Sequence, residues 1–343
     1  MNNAGVPANA DQPIIGVDVG GTKVAAAEVV GQRAHNLVEH PTDLRGPDEL
    51  LAGIERAVRE VLGKRGAPAA IGVGVPSQIE YATGTVKSSV NIPLTGVPLK
   101  DELCKRFGAQ VFVDNDANVA ALAEAYYAEG TPEGQPVSEL VMFTLGTGVG
   151  GGIVIDGGIF RGARGLGAEL GHMVIRADGP NCPGNCPNRG CLEALCSGTA
   201  LGRDAREWAK DKPDSALGRR LEENGDVSGR DVVAEARDGD PDALRMLERY
   251  ADNLGVGISN VINIFEPDLV VIGGGLSQAA DLFLDRAWRE AESRALPALL
   301  ERVHLSVARA GPQAGVIGAG LLAAQETGTN MDTAGLTASE GIR

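Results

Sequence analysis

Short apolar runs, each closed by a glycine or Asp/Asn turn, set the rhythm of this chain. Residues 14–19, IIGVDV, run into a Gly-Gly-Thr turn, and 24–30, VAAAEVV, resume the apolar pattern, which predicts a β-hairpin about GGTK. In 47–63, PDELLAGIERAVREVLG, apolar residues fall at helical spacing, with Pro47 at the start and Gly63 at the end, so a helix is expected. AIGVGVP (70–76) and QVFVDND (110–116) read as short strands entering polar turns, and ANVAALAEAYYAEG (117–130) reads as a helix. ELVMFTLGTGVGGGIVIDGGIFRG (139–162) then repeats the opening design of strand, Gly-Thr turn and strand. Two copies, starting at 14 and 139, predict a duplicated α/β fold. Residues 199–250 are charged and helical, broken at Gly225 and Gly239; 253–278 give a helix, a strand (DLVVIGG) and a glycine turn; 315–325 give a final small-residue helix.

Composition narrows the class. With 343 residues, 43% hydrophobic, the chain can bury the core of one large or two modest domains. No apolar run approaches the ~18 residues of a membrane span. The opening MNNAGVPANADQ lacks the basic start and apolar run of a signal peptide, so the cytoplasm is the default expectation. A net charge of −15 with no basic stripe argues against nucleic acid as a partner. The 48 glycines cluster after apolar runs, as phosphate-binding turns do.

Three such turns carry candidate chemistry. In DVGGTK, Gly20 and Gly21 let backbone N–H groups approach an anion, Thr22 adds a hydroxyl and Lys23 a charge, and Asp18 at the strand end can hold Mg²⁺ through water. LGTGVGGG supplies a second turn at Gly146, Thr147 and Gly148, and VVIGGG a third at Gly273, Gly274 and Gly275. Together they fit one nucleotide, ATP, with a phosphate chain and an adenosine end. No Lys-Ser/Thr follows in the Walker manner, and GTGVGGG lies between two apolar strands rather than between strand and helix, so a dinucleotide site is rejected.

VDNDANVAA (113–121) holds the candidate catalytic carboxylate. Asp114 reads as a helix cap, whereas Asp116, on a loop beside bound phosphate, is suited to take a proton from a hydroxyl. GHMVIRADGPNCPGNCPNRGCLE (171–193) is the densest cluster of metal-ligand chemistry. His172, Cys182, Cys186 and Cys191, at spacings of ten, four and five, suit a closed structural Zn²⁺ site, with Cys196 as a spare ligand.

These motifs together resemble the ROK family of repressors and sugar kinases, within the actin-like ATPase superfamily. The resemblance runs from about Ile14 to Ala324 and rests on DVGGTK, LGTGVGGG, VVIGGG, GAELGH (167–172) and CPNRGCLE (186–193). It implies an actin-like (ribonuclease H-like) duplicated fold, two α/β domains flanking a cleft. The expected division is 12–115 plus 315–328 against 116–314, with 1–11 and 329–343 as loose tails. It further implies that Asp116 deprotonates the 6-hydroxyl of a hexose and that Asn91, Asn115, Glu169, His172 and Glu193 contact the sugar, His172 also serving zinc. The family usually has Cys-x-Cys where this chain has Cys182-x-x-x-Cys186, which leaves open whether Cys182 or Cys196 completes the site.

The leading expectation is therefore an ATP- and Mg²⁺-dependent glucokinase, a homodimer or homotetramer as is common in the family, with no membrane partner. Fructokinase and N-acylhexosamine kinase are the alternatives within the family. A sugar-sensing regulator is the alternative outside enzymology. It is disfavoured because only 17 residues precede Asp18, where such regulators carry a DNA-binding module.

Overall fold

The computed structural model describes residues 12–129 and 135–329. The elements, in order, are β1 (Ile14–Val19), β2 (Lys23–Val30), β3 (Arg33–Pro41), α1 (Pro47–Leu62), β4 (Ala70–Val75), β5 (Ser77–Glu80), β6 (Thr85–Ser89), α2 (Leu99–Phe107), β7 (Gln110–Asn115) and α3 (Asp116–Tyr127). They continue with β8 (Leu140–Leu145), β9 (Val149–Ile155), β10 (Gly158–Ile159), α4 (Leu192–Cys196), α5 (Gly198–Asp211), α6 (Ala216–Asn224), α7 (Gly229–Arg237) and α8 (Pro241–Phe265). The last are β11 (Leu269–Gly273), α9 (Leu284–Glu292), β12 (His304–Val307) and α10 (Ala314–Thr327).

The expected duplication is present in the two large sheets. One has the order β3-β2-β1-β4-β7 and the other β10-β9-β8-β11-β12, the same arrangement of strands about a glycine-turn hairpin. β1 pairs with β2 antiparallel across the GGTK turn and with β4 in parallel; β4 and β7, β8 and β11, and β11 and β12 are also parallel. Parallel strands need both faces covered. β4 accordingly buries all six residues of AIGVGV.

Two compact units result. The first takes the described residues up to Ser138, then Ile153–Ala168 and those from Arg309 on; the second takes Glu139–Gly152 and Glu169–Ala308. The division thus differs from one at 115/116, because α3 packs on β4, β7 and α10 and stays with the first unit. Of the expected tails, 1–11 and 330–343 lie outside the described residues.

In the first unit, α1 lays Leu50, Leu51, Ile54, Val58 and Val61 on one sheet face, while α10 and α3 cover the other. α10 owes its small residues to this close approach. A Cβ at Gly72 of β4 would stand 1.7 Å from the Ala319 carbonyl oxygen, and one at Gly318 would stand 1.7 Å from that of Val119. In the second unit, α5, α6, α7 and α8 enclose a satellite core of Leu201, Leu217, Val232 and Leu247, which accounts for the charged helical stretch. Among the described residues no helix is long and apolar enough to cross a membrane.

Candidate active site

In the first unit, β1 delivers Asp18 to the sheet edge just before the glycine turn. The turn is closed by Gly20 N–H donating to the Lys23 carbonyl at 2.8 Å. Thr42, just past β3, pins it from the side: its hydroxyl donates to the Gly20 carbonyl at 2.6 Å and its N–H to the Thr22 carbonyl at 3.0 Å. The Lys23 ammonium pairs with Glu39 of β3 on the half-exposed surface. Asn91 borders the turn, since a Cβ at Gly21 would lie 3.8 Å from the Asn91 Cβ. Asp18 sits against the first turn of α10, where a Cβ at Gly315 would meet its Oδ2 at 2.6 Å. Burial, and after it the charge of Asp116, push the Asp18 carboxyl up to about 6.

The corner between β7 and α3 is fixed by two polar residues. Asn115 caps α3, its Oδ1 accepting from Ala117 N at 2.9 Å and Asn118 N at 3.3 Å, while its Nδ2 donates to the Ser77 carbonyl at 3.3 Å. Asp116 opens the helix, half-buried, with Oδ1 on Ala117 N at 2.9 Å. Asp114 is not the cap that its position suggested; it is 2% exposed and accepts from Arg161 Nε at 2.6 Å, Asn118 Nδ2 at 2.8 Å and Asn115 N at 2.8 Å. The Arg161 guanidinium also stacks 3.7 Å from the Tyr81 ring centroid and reaches Glu326 of α10, to which the Tyr81 hydroxyl donates. A buried carboxylate of this kind needs its countercharge, so Arg161 holds the strand end from which Asp116 projects.

In the second unit, Gly146–Gly148 form the tip between β8 and β9, partly exposed. Gly198 N donates to the Gly146 carbonyl at 2.7 Å, and the Thr199 hydroxyl to the Thr147 carbonyl at 2.7 Å. The third glycine turn lies alongside. Gly274, at φ +83°, presses on β8 so closely that a Cβ would meet the Leu145 oxygen at 2.4 Å, a position only glycine can hold. Gly273 ends β11, and Gly275 faces open space. The Glu193 carboxylate, in the first turn of α4, accepts Val149 N–H at 2.9 Å. Exposed Glu169 precedes the short 3-10 turn Leu170–His172.

The metal-ligand cluster is in the same unit. Ligand atoms of His172, Cys182, Cys186 and Cys191 all lie within 4.8 Å of one another. His172 Nδ1 is 3.4 Å from Cys182 Sγ, and Cys186 Sγ is 4.0 Å from Cys191 Sγ. Tetrahedral zinc with thiolate bonds of about 2.3 Å would separate two sulfurs by roughly 3.8 Å, so the donor set fits this ion in both chemistry and size. Burial, and then the neighbouring thiols, push the Cys182 thiol up. Cys196 stands apart, buried with Sγ on the Tyr250 carbonyl at 3.7 Å, and the clustered ligand atoms include Cys182 instead.

The model of the ROK family matches residues 14–326. The chain belongs to the ROK family. It is 36% identical over 330 residues to a glucokinase of Halalkalibacterium halodurans, covering 92% of this chain and 96% of that one. Among solved structures, the ROK hexokinase of Thermus thermophilus superposes with a TM-score of 0.77 at 33% identity, covering 92% of this chain and 99% of that one. A ROK glucokinase of Streptomyces griseus, in complex with glucose and AMPPNP, gives 0.71 at 33% identity, covering 91% and 99%. The fold is therefore that of the actin-like ATPases.

Against this ROK frame, sequence reasoning missed the supports rather than the motifs. Arg161 lies 47 residues from its partner Asp114, and Thr199 lies 52 from Thr147. No spacing rule links such pairs. Only the pair of arginines in a glycine-rich stretch, FRGARG (160–165), hints at a special role, and it does not single out Arg161 from Arg164.

Proposed function

We propose that this ROK protein is an ATP-dependent hexose kinase acting on the 6-hydroxyl of glucose, with Asp116 as general base. The single observation that carries the reading is that one sheet brings both carboxylates to the same end: Asp18 of β1 is in register with Gly74 of β4 and, through it, with Asp114 of β7, two residues before Asp116. Asp116 opens a helix and Asp18 stands, half-buried, just before a glycine turn, both in one unit. In phosphoryl transfer the protein chiefly positions groups and neutralises charge. Asp116 takes the hydroxyl proton as the sugar oxygen bonds to the γ-phosphorus and the bond to the ADP leaving oxygen breaks.

Gly20, Gly21, Thr22 and Lys23 with Gly146, Thr147 and Gly148 cradle the phosphates, and Gly273, Gly274 and Gly275 border the adenosine. Lys23 leaves Glu39 to do so. Asp18 would hold Mg²⁺, and that ion would supply neutralisation of the phosphate charge. Asn91, Asn115, Glu169, His172 and Glu193 contact the sugar. Asn115 keeps one amide hydrogen for this, since its oxygen and its other hydrogen serve the helix cap and Ser77. His172 turns Nδ1 to the cysteines, which frees Nε2 for a sugar hydroxyl. Zinc on His172, Cys182, Cys186 and Cys191 would brace the segment between Glu169 and Glu193. The glucokinase and hexokinase relatives support ATP as donor and glucose as acceptor.

The test is a coupled ADP-release assay with Mg-ATP and a panel of glucose, mannose, fructose and N-acetylglucosamine. Highest kcat/KM on glucose is expected. A preference for fructose or N-acetylglucosamine reassigns the substrate, and no turnover on any sugar overturns the kinase reading.

A further inference from the structure

The metal cluster and the second phosphate turn meet at one residue, Val149, which directly follows Gly148. Its N–H donates to Glu193 Oε2 at 2.9 Å. Its carbonyl lies against Gly171, where a Cβ would come within 2.0 Å of the oxygen. Glu193 is two residues past the ligand Cys191, and Gly171 immediately precedes the ligand His172. The two segments that grip Val149 are thus the flanks of two metal ligands. They are joined to each other where Val174 bridges to Cys191 and where Leu192 N donates to the Met173 carbonyl at 2.8 Å. Downstream of the same ligand, past α4, Gly198 and Thr199 anchor the Gly146 and Thr147 carbonyls. The Glu193 carboxylate even occupies the space a side chain at 148 would need, since a Cβ there would lie 2.4 Å from Oε2.

We propose that the metal, by clamping the Gly171–His172 and Cys191–Glu193 segments together, sets the geometry of the Gly146–Gly148 turn and thereby governs nucleotide affinity, with Glu193 as the positioning residue that transmits it. This rests on reading that turn as a site for ATP phosphates. It gives the metal a role on the nucleotide side that is separate from any effect on the sugar. Preorganised backbone donors cost nothing to order when the anion arrives, whereas a loosened turn must be ordered at the expense of binding.

The experiment uses full-length protein without sugar, in three states: metal-loaded, metal-stripped by chelation under reducing conditions, and reloaded with Zn²⁺. Metal content is checked by elemental analysis. Two readouts are taken, amide exchange and the Kd of Mg-AMPPNP. On stripping, the peptide carrying Val149 should exchange at least tenfold faster while β1–β2 peptides hold, Kd should rise at least tenfold, and both should return on reloading. Unchanged exchange at Val149 in stripped protein overturns the proposal, as does a Kd within twofold. If loaded wild-type protein binds no AMPPNP, the nucleotide reading fails by itself, and the exchange result still decides whether metal and turn are coupled.

Should stripping unfold the second unit, the Glu193→Ala variant, with its metal retained, decides instead. Faster Val149 exchange and a Kd raised about fivefold are expected, with Glu193→Gln restoring both because its amide oxygen still accepts the N–H. Wild-type values in Glu193→Ala overturn the proposal.

Discussion

The two glycine turns occupy equivalent hairpins in equivalent sheets, yet they are held in different ways. The first is fastened by its own neighbourhood. Gly20, Thr22 and Lys23 are tied to one another, to Glu39 and to Thr42, within a single meander of three strands. The second is fastened from far along the chain, by Glu193, Gly198 and Thr199, in the segment that follows Cys191. Duplication explains the shared strand order but not the supports. A turn held locally forms whenever its strands pair, whereas a turn held across 44 to 52 residues costs loop-closure entropy.

Removing a metal ligand should separate the two turns most strongly. Cys182→Ser is expected to lower metal stoichiometry and to weaken Mg-AMPPNP at least tenfold, while Cys196→Ser keeps its metal; elemental analysis and calorimetry read both. Equal metal loss in the two variants would return Cys196 to the ligand set. Next in size is the support of the β7–α3 corner. Arg161→Met leaves the Asp114 carboxylate buried without its countercharge, a loss of about 3–5 kcal/mol by urea unfolding. Adding Asp114→Asn should recover part of it. No recovery would mean that Arg161 acts through Tyr81 and Glu326 instead.

The first turn carries a pH signature at Asp18. Asp18 is raised to about 6 against an ordinary value of 3.8. The folded chain therefore holds this proton more tightly than the unfolded chain, and stability is lost as pH rises from about 4 through 6. Asp18→Asn should stabilise the protein above pH 6 by roughly 1–3 kcal/mol, leave it unchanged below about pH 4, and abolish Mg²⁺-dependent nucleotide binding. Thermal melts across pH 4–8 test this, and a variant destabilised at pH 7.5 would contradict the assignment. The smallest effect is expected from Thr42→Val, which removes one hydroxyl bond to the Gly20 carbonyl. About 1 kcal/mol of stability and a few-fold rise in KM for ATP should follow, with metal content untouched.

What the sequence disclosed follows the same local and non-local divide. The hairpins about GGTK and LGTG, helix α1 and the strands AIGVGV and QVFVDN were readable because burial repeats along a few adjacent residues. β3 was not, since its RAHNLVEHP lies mostly exposed and shows no apolar run. The gathering of His172, Cys182, Cys186 and Cys191 was readable from residue type and spacing, but the exclusion of Cys196 from it was not, because it depends on where α4 turns Cys196 toward Tyr250. Asp114 was misread as a cap because its partner Arg161 is distant in the chain, and Asn115 proved to cap the helix.

The central claim, that Asp116 is the base of a glucose kinase, is tested most directly by single-turnover phosphorylation of glucose in Asp116→Ala, with glucose and Mg-AMPPNP affinities measured on the same preparation. The account predicts a rate lowered by about 10²–10⁴, with both affinities within a few-fold of wild type. A rate within tenfold of wild type, at intact affinities, would show that another group takes the proton.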